Sequence, residues 1–499
     1  MIETSQTSHL ISDLGYLVPF LILAVTGMLL VLAEAFYRSK DHSTLMSLTV
    51  AGAVASAIAS VIAYRQLGDG APLVRPLLGD MLVADHTGYV LSALFAVITA
   101  LAALGSPAHQ REHDWQIGEY YGVMLLSASG MVILAHAANL VTVFLGIETM
   151  SIGVYVMCAM RRRSRRGNEA AMKYFLIGAF ATGFLMYGIA LIYGAAGTTK
   201  IGQLATALAA TKNPGLVVAG GLMLVVAFGF KVAAVPFHMW APDAYEGAPT
   251  PVTGFMAAAV KAAAVGAMIR VFGQALGGDV VPFGSLGWAT PMAVIAVLTI
   301  TIGNITAVRQ DNIKRMLAYS SISHAGVLLL GICAIGLGAK TATTSVVYYL
   351  ITYCFTTMGA FAIVAFVGSR GRERLLVDDW AGLGTQHPAV ALAMTVLLLS
   401  FGGIPPTGGF FGKFYVFKAV MEVADGQLSW LVWLVIFGVI NSAISIYYYL
   451  RIVTSMYFRD TTQSFAPTRS AGLLFVIVLC PLLVLELGIL PGWWLRLVG

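Results

Sequence analysis

Charge is scarce in this sequence. Only 10% of its 499 residues are Asp, Glu, Lys or Arg, against roughly 25% in a soluble globular chain, while 59% are hydrophobic. So few polar groups cannot cover a water-soluble fold, and a mean hydropathy of +0.85 makes a bilayer the solvent. Cysteine is scarce too: Cys158, Cys333, Cys354 and Cys480 lie far apart, each in an apolar run. No CxxC pair and no iron–sulfur or zinc spacing exists, so metal and cluster chemistry belongs elsewhere. A phosphate-binding P-loop and a dinucleotide fingerprint are also missing, which argues against ATP-driven transport by this chain.

What is present is a succession of apolar runs, each close to the ~20 residues that cross a bilayer as a helix. They predict an all-α polytopic membrane protein of about 14 transmembrane helices, at 15–36, 44–64, 82–104, 119–137, 140–160, 172–194, 215–238, 252–275, 287–308, 315–338, 343–368, 390–420, 428–458 and 469–491. The first run is longer than a signal-peptide core, and no Lys or Arg precedes it, so it reads as a retained span.

Lys and Arg divide unevenly between alternate loops. Loops after odd spans carry Arg38, Lys40, Arg111, Arg161, Arg162, Arg163, Arg165, Arg166, Arg309, Lys314, Arg315, Arg370, Arg372, Arg374, Arg459 and Arg469. Loops after even spans carry only Arg65, Arg75, Lys200, Lys212 and Lys340. The bias places both termini on the outer side and the Arg161 to Arg166 cluster in the cytoplasm. The net charge of +6 is then a topology signal, and no nucleic-acid partner is needed to explain it.

Against this background a few charges fall inside spans, where each costs about 2.5–3.5 kcal/mol on insertion scales. Glu148 lies in NLVTVFLGIETMSIGVYVM, Lys231 in LMLVVAFGFKVAAVPFHMW, Lys261 in FMAAAVKAAAVGAMI, and Lys413 follows LLLSFGGIPPTGGFFG. These four are too deep to snorkel and are the candidate working groups. Lys173 could either snorkel from the Arg cluster or serve the path, while Glu34 and Lys418 near span ends read as interfacial. His324, in MLAYSSISHAGVLLLG, reads equally as a relay or as a histidine bonded between helices.

Pro236 follows Lys231 by five residues, and Pro405 and Pro406, among several glycines, precede Lys413. Proline removes a backbone donor and clashes with the preceding turn, so spans seven and twelve should be discontinuous. Broken helices at membrane depth point to a transport site. Desolvation favours a neutral amine and a nearby carboxylate favours the ammonium, so a lysine whose partner moves is a proton switch. Glu148 pairing with Lys231 would form such a switch, releasing protons through Lys261 and His324 towards Lys413.

The segment FKVAAVPFHMWAPDAYEGAPTPVTGFMAAAVK resembles the antiporter-like membrane subunits of proton-pumping NADH-quinone oxidoreductase, respiratory complex I, which are similar to Mrp sodium/proton antiporter subunits. FLGIETMSIGVYV, NEAAMKYFLIGAFATG, NIKRMLAYSSISHAG and GIPPTGGFFGKFYVF extend the resemblance over about residues 120–460. Within that family the pattern is similar to the subunit N branch. Lys413 stands where subunit M typically has glutamate, and nothing beyond Gly499 offers the lateral helix of subunit L. The resemblance implies two inverted five-helix repeats, at 119–275 and 287–458, between amino-terminal spans in 1–118 and a final helix in 469–499.

It further implies a proton path through Glu148, Lys231, Lys261 and Lys413, with Lys173 modulating the first pair. No cofactor is expected in this chain: FMN, iron–sulfur clusters and quinone would belong to partner subunits. The expected partners are a neighbouring antiporter-like subunit, the small membrane subunits leading to the quinone site, and the lipid of a bacterial cytoplasmic (inner) membrane. An Mrp-type cation/proton antiporter subunit and a membrane subunit of a related hydrogenase complex are the alternatives. The motif residues around His238, Trp240, Asp243 and Glu246 read as shaping the loop between spans seven and eight. Asp85 and Glu486 have no evident role at this level.

Overall fold

The computed structural model describes residues 13–36, 42–68, 74–277, 287–368, 373–425, 429–460, 464–466 and 470–498. Apolar helices dominate: α1 (Val18–Phe36), α2 (Ser43–Gln66), then a small antiparallel hairpin of β1 (Arg75–Leu77) and β2 (Leu82–Ala84), α3 (His86–Glu112), α4 (Glu119–Ala135), α5 (Leu140–Ala159) and α6 (Arg165–Ala196). Next come the short α7 (Ile201–Ala209), α8 (Pro214–Lys231), the short α9 (Trp240–Gly247) and α10, which runs over Thr250–Ala275 with two π-helical stretches. After these follow α11 (Ala289–Val308), α12 (Ile313–Gly336), α13 (Ala342–Val367), the four-residue α14 (Leu383–Gln386), α15 (Pro388–Gly402), α16 (Gly408–Glu422), α17 (Leu431–Phe458), α18 (Ala471–Ile489) and α19 (Pro491–Val498). Among the described residues twelve helices are long and apolar enough to cross a membrane, and α4 and α15 are shorter apolar helices. The chain is a multi-pass α-helical membrane protein.

Burial sorts the helices into layers. The most apolar stretches of α10 and α13 are wholly buried, whereas those of α1 and α2 are only 28% buried. Lipid is as apolar as leucine, so a peripheral helix keeps apolar side chains outward, as Leu29, Phe36 and Ile58 do here. Helix starts follow side-chain chemistry. Asp85, Asn139, Ser164 and Asn312 each accept a hydrogen bond from a first-turn amide, ahead of α3, α5, α6 and α12. That cap corrects one boundary: residues 82–84 are strand, and the third span starts at His86.

The two proline-bearing spans are interrupted as expected. α8 stops at Lys231, short of the expected 238, and the chain becomes helical again at Trp240. Backbone groups freed in the gap find partners: the Val235 amide donates to Thr299 Oγ1 of α11 at 2.9 Å, and the Trp240 indole donates to the Phe230 carbonyl at 3.2 Å. The expected 390–420 span is divided into α15 and α16, with Gly403 at φ +77° closing α15. A β-carbon is unfavourable in that left-handed conformation. All four cysteines are buried and unpaired.

Candidate functional site: buried amines at helix breaks

Lys231, Lys261 and Lys413 are 6%, 3% and 7% exposed. Among the described residues none of them has a carboxylate within ion-pair distance, so each amine is held by hydroxyls and carbonyls alone.

Lys231, the last residue of α8, donates to Ser151 Oγ at 2.9 Å and to the Tyr155 hydroxyl at 3.4 Å, both on α5. Glu148, one turn before Ser151, is partly buried and instead accepts from Thr182 Oγ1 of α6 at 2.6 Å. The two groups expected to pair therefore lie on different helices, Glu148 on α5 and Lys231 at the end of α8, and each holds a separate partner.

Lys261 follows a π-helical stretch, Met256–Val260, an irregularity frequent at functional sites. Its amine donates to the Ser321 carbonyl at 2.6 Å and to Ser321 Oγ. That hydroxyl also accepts from Tyr353 at 2.7 Å. Lys413 donates to the carbonyls of Phe401 at 2.9 Å and Gly402 at 3.4 Å, the orphan acceptors at the end of α15. A helix C-terminus carries partial negative charge, so the break is itself a cation seat.

His324 sits between these two lysines. Its Nδ1 lies 2.5 Å from the Tyr349 hydroxyl and its Nε2 3.2 Å from the Tyr449 hydroxyl. Its ring centroid is 5.5 Å from that of Tyr353 and 5.3 Å from that of Phe401. His324 thus neighbours both the side chain bonded to Ser321 and the residue whose carbonyl holds Lys413. No direct hydrogen bond joins the Lys231 group to the Lys261 group among the described residues.

Lys173 lies apart from the buried amines. Its side chain is 44% exposed and is paired with Asp243 at 2.8 Å and Glu169 at 2.7 Å. Asp243 also bonds Arg315 at 2.8 Å, which reaches Glu246 at 2.9 Å. Burial alone would raise the Asp243 carboxyl, but hydrogen bonds from Lys173 and Arg315 hold it below the usual carboxylate range. A 230 Å³ cavity opens onto Lys173, Glu169, Asp243 and Glu246.

Two buried cations and one partly buried carboxylate were not evident as such in the sequence. Arg270 makes a two-pronged pair with Asp85, 2.7 Å on each arm, and donates to the Ala135 carbonyl, which accounts for Asp85 as both cap and counter-ion. Lys314, counted as a loop charge, is fully buried, donating to the Ala248 carbonyl at 2.8 Å and reaching Glu373 at 3.4 Å. Glu373 also accepts from Thr250 at 2.5 Å and from His109 Nε2 at 2.9 Å. Burial favours the protonated form, but Lys314 and His109 hold the Glu373 carboxyl well below its ordinary value.

His109, His113 and Glu373 lie close enough to suggest a metal site. The donors do not fit one. The Trp115 indole can only donate, and it occupies His109 Nδ1 at 3.1 Å. His109 Nε2 therefore carries its hydrogen towards Glu373, while Lys314 faces the same carboxylate. The cluster is a clasp joining α3, α10 and α12.

The family described as NADH:quinone oxidoreductase/Mrp antiporter, TM, matches residues 137–445, a stretch containing every candidate lysine. NADH-quinone oxidoreductase subunit N of Trichlorobacter lovleyi is 43% identical over 91% of this chain and 89% of its own. Subunit N 1 of Sorangium cellulosum is 42% identical over 95% of both. The chain belongs to the subunit N family of NADH-quinone oxidoreductases. A chain of respiratory complex I from Thermus thermophilus has the same fold, with a TM-score of 0.79, 30% identity, and 96% of this chain and 98% of that one covered. The Mrp complex of Dietzia sp. shares the fold at a TM-score of 0.83 and 21% identity, over 98% of this chain and 96% of its own.

Proposed function

We propose that this chain is a proton-translocating membrane-arm subunit of NADH-quinone oxidoreductase, in which quinone reduction by NADH drives protons through Glu148, Lys231, Lys261, His324 and Lys413. The observation that carries the reading is that three buried amines stand at two helix breaks and a π-helical stretch, each ligated only by hydroxyls or carbonyls. Both kinds of ligand accept from the N–H of an amine or an ammonium, and the hydroxyls can also donate to a neutral amine. A carboxylate arriving nearby would then decide whether the proton stays.

In this mechanism Glu148 swings from Thr182 towards Lys231 and holds its proton. Its return releases that proton to Lys261, whose hydroxyl neighbours lead to His324 and on to Lys413. Lys173 tunes the first pair through its contacts with Asp243 and Glu169. Stepwise transfer matches the load, since one charge moved against 100 mV costs about 2.3 kcal/mol, less than two units of pKa change at about 1.4 kcal/mol each. The two broken helices would belong to inverted repeats at 119–275 and 287–458.

FMN, iron–sulfur clusters and quinone would sit in partner subunits, reached through a neighbouring antiporter-like subunit and small membrane subunits. The membrane would be the bacterial cytoplasmic one, with both termini outside. The test is NADH-driven proton uptake by the purified complex in proteoliposomes. Lys231→Ala and Glu148→Ala should each cut pumping sharply while the complex still assembles, and normal pumping by both would overturn the assignment.

A further inference from the structure

A second basic feature lies outside the proton path, at the end of the bundle that bears the arginine cluster. A cavity of about 760 Å³ opens there between His42, ahead of α2, and the α3–α4 and α5–α6 connections. Its walls include His42, His113, Arg161, Arg162, Arg163 and Ser164. Among the described residues no carboxylate lies within ion-pair distance of the three arginines, whereas Arg166 and Arg315 nearby are paired to Glu246.

The histidines are under-used in the same way. His113 is 8% exposed, and its Nδ1 has no hydrogen-bond partner; His42 Nδ1 is likewise unpartnered, its other nitrogen lying 3.2 Å from Glu34. Ser164 Oγ accepts from the Gly167 amide at 3.0 Å, and among the described residues its own hydrogen has no acceptor. Among the described residues Asp114 is the one carboxylate on the wall, against three arginines. An orientation signal needs only the charges on the correct side. It does not need them gathered around one cavity with buried, unpartnered ring nitrogens.

The membrane side of this cavity has a shape of its own. α4 has 17 residues, about 25 Å at 1.5 Å per residue, shorter than a hydrocarbon layer of ~30 Å. It is flanked by α1 and α5, which both pack against it. The α1–α4 contact is close: a β-carbon at Gly122 would lie 2.8 Å from the Gly27 carbonyl oxygen. Either side of the sunken helix, Leu32 and Phe36 of α1 and Ile152 and Val156 of α5 are exposed. An apolar furrow therefore runs up to a basic, polar-walled cavity.

We propose that this cavity binds the phosphate of an anionic phospholipid whose acyl chains lie along the furrow between α1 and α5. Basic pockets between spans on the cytoplasmic side are suited to such headgroups. The binding stands apart from proton transfer, and none of its residues belongs to the proposed path.

The test uses the assembled complex in nanodiscs. A phosphatidylglycerol with a photoreactive group near the head of one acyl chain is compared with the phosphatidylcholine analogue. Phosphatidylglycerol should label residues 113–117 and 160–164 at least about tenfold more than phosphatidylcholine. Arg161→Gln with Arg163→Gln, which leaves Arg162, Arg165 and Arg166 to set orientation, should reduce the label to the phosphatidylcholine level with NADH oxidation retained. Equal labelling by both lipids, or labels confined to other segments, overturns the proposal. Suppression of the label by millimolar inorganic phosphate would also overturn it, assigning the cavity to free phosphate. If the double variant does not assemble, the comparison of the two lipids on the unmodified complex decides by itself.

Discussion

Lys261 offers the sharpest separation of charge from proton transfer. Its amine is buried against the Ser321 carbonyl and hydroxyl with no carboxylate in ion-pair reach among the described residues. Lys261→Arg keeps a cation and its donors but cannot release a proton, because a guanidinium stays charged. Lys261→Met keeps the length and removes the charge. The methionine variant leaves the Ser321 carbonyl short of a donor, a loss of about 1–3 kcal/mol, offset in part because no amine has to be buried. Both variants should therefore assemble. With the relay between Lys231 and His324 removed, a proton must cross that gap in one longer step. The full charge movement is about 2.3 kcal/mol per 100 mV, which as an added barrier slows transfer by up to roughly fiftyfold. NADH-driven fluorescence quenching in proteoliposomes should fall at least about tenfold in both variants. Unmodified pumping by Lys261→Arg would refute the premise that this lysine must gain and lose its proton.

The Lys231 pocket predicts a graded series. Ser151→Ala with Tyr155→Phe removes both hydroxyl partners and should slow pumping several-fold, about the effect of 1 kcal/mol on a barrier, whereas Lys231→Ala should nearly abolish it. Lys173→Ala should cost less than either, because its partially exposed ion pairs contribute weakly; a loss equal to that of Lys231→Ala in the same assay would contradict the geometry. Glu373→Gln strands the fully buried Lys314 and should lower the stability of the assembled complex by about 3 kcal/mol, read as a reduced thermal melting point. Since the Glu373 carboxyl is held well below its ordinary value, its stabilisation is present above the unfolded-state value and lost only as pH falls through the depressed one. The penalty of Glu373→Gln should therefore be the same at pH 8 and pH 6, and a penalty that shrank over that interval would show that the carboxylate is not held as described.

The spans were legible because each is a nearly uninterrupted apolar run, and the bilayer leaves few ways to satisfy such a backbone except a helix. Their ends were less so. The third span begins at His86 because Asp85 caps it, and Asp85 owes its burial to Arg270, 185 positions away. Nothing local marks that pairing. Arg270 looks like one cation near the end of a long alanine-rich helix, and only the fold brings its counter-ion. Lys314 illustrates the opposite error: in sequence it belongs with Arg309 and Arg315 as a topology charge, yet Glu373 and the Ala248 carbonyl draw it fully inside.

The candidate path divides in the same manner. Proline and glycine spacing disclosed where the helices break, because a missing amide and a forbidden φ are local properties. The amines' partners were hidden, since hydroxyls and carbonyls are everywhere in such a chain and only packing selects Ser151, Ser321 and Phe401 among them. At Lys413 the two kinds of information meet. The glycines and prolines end α15 and expose its last carbonyls, and the lysine five residues into α16 folds back onto the end they created. A break there does not merely permit a buried charge; it supplies the partial negative charge that stabilises one. Restoring a continuous helix through residues 403–407 would remove that seat while leaving Lys413 in the sequence, so the amine's function depends on the break as much as on the side chain.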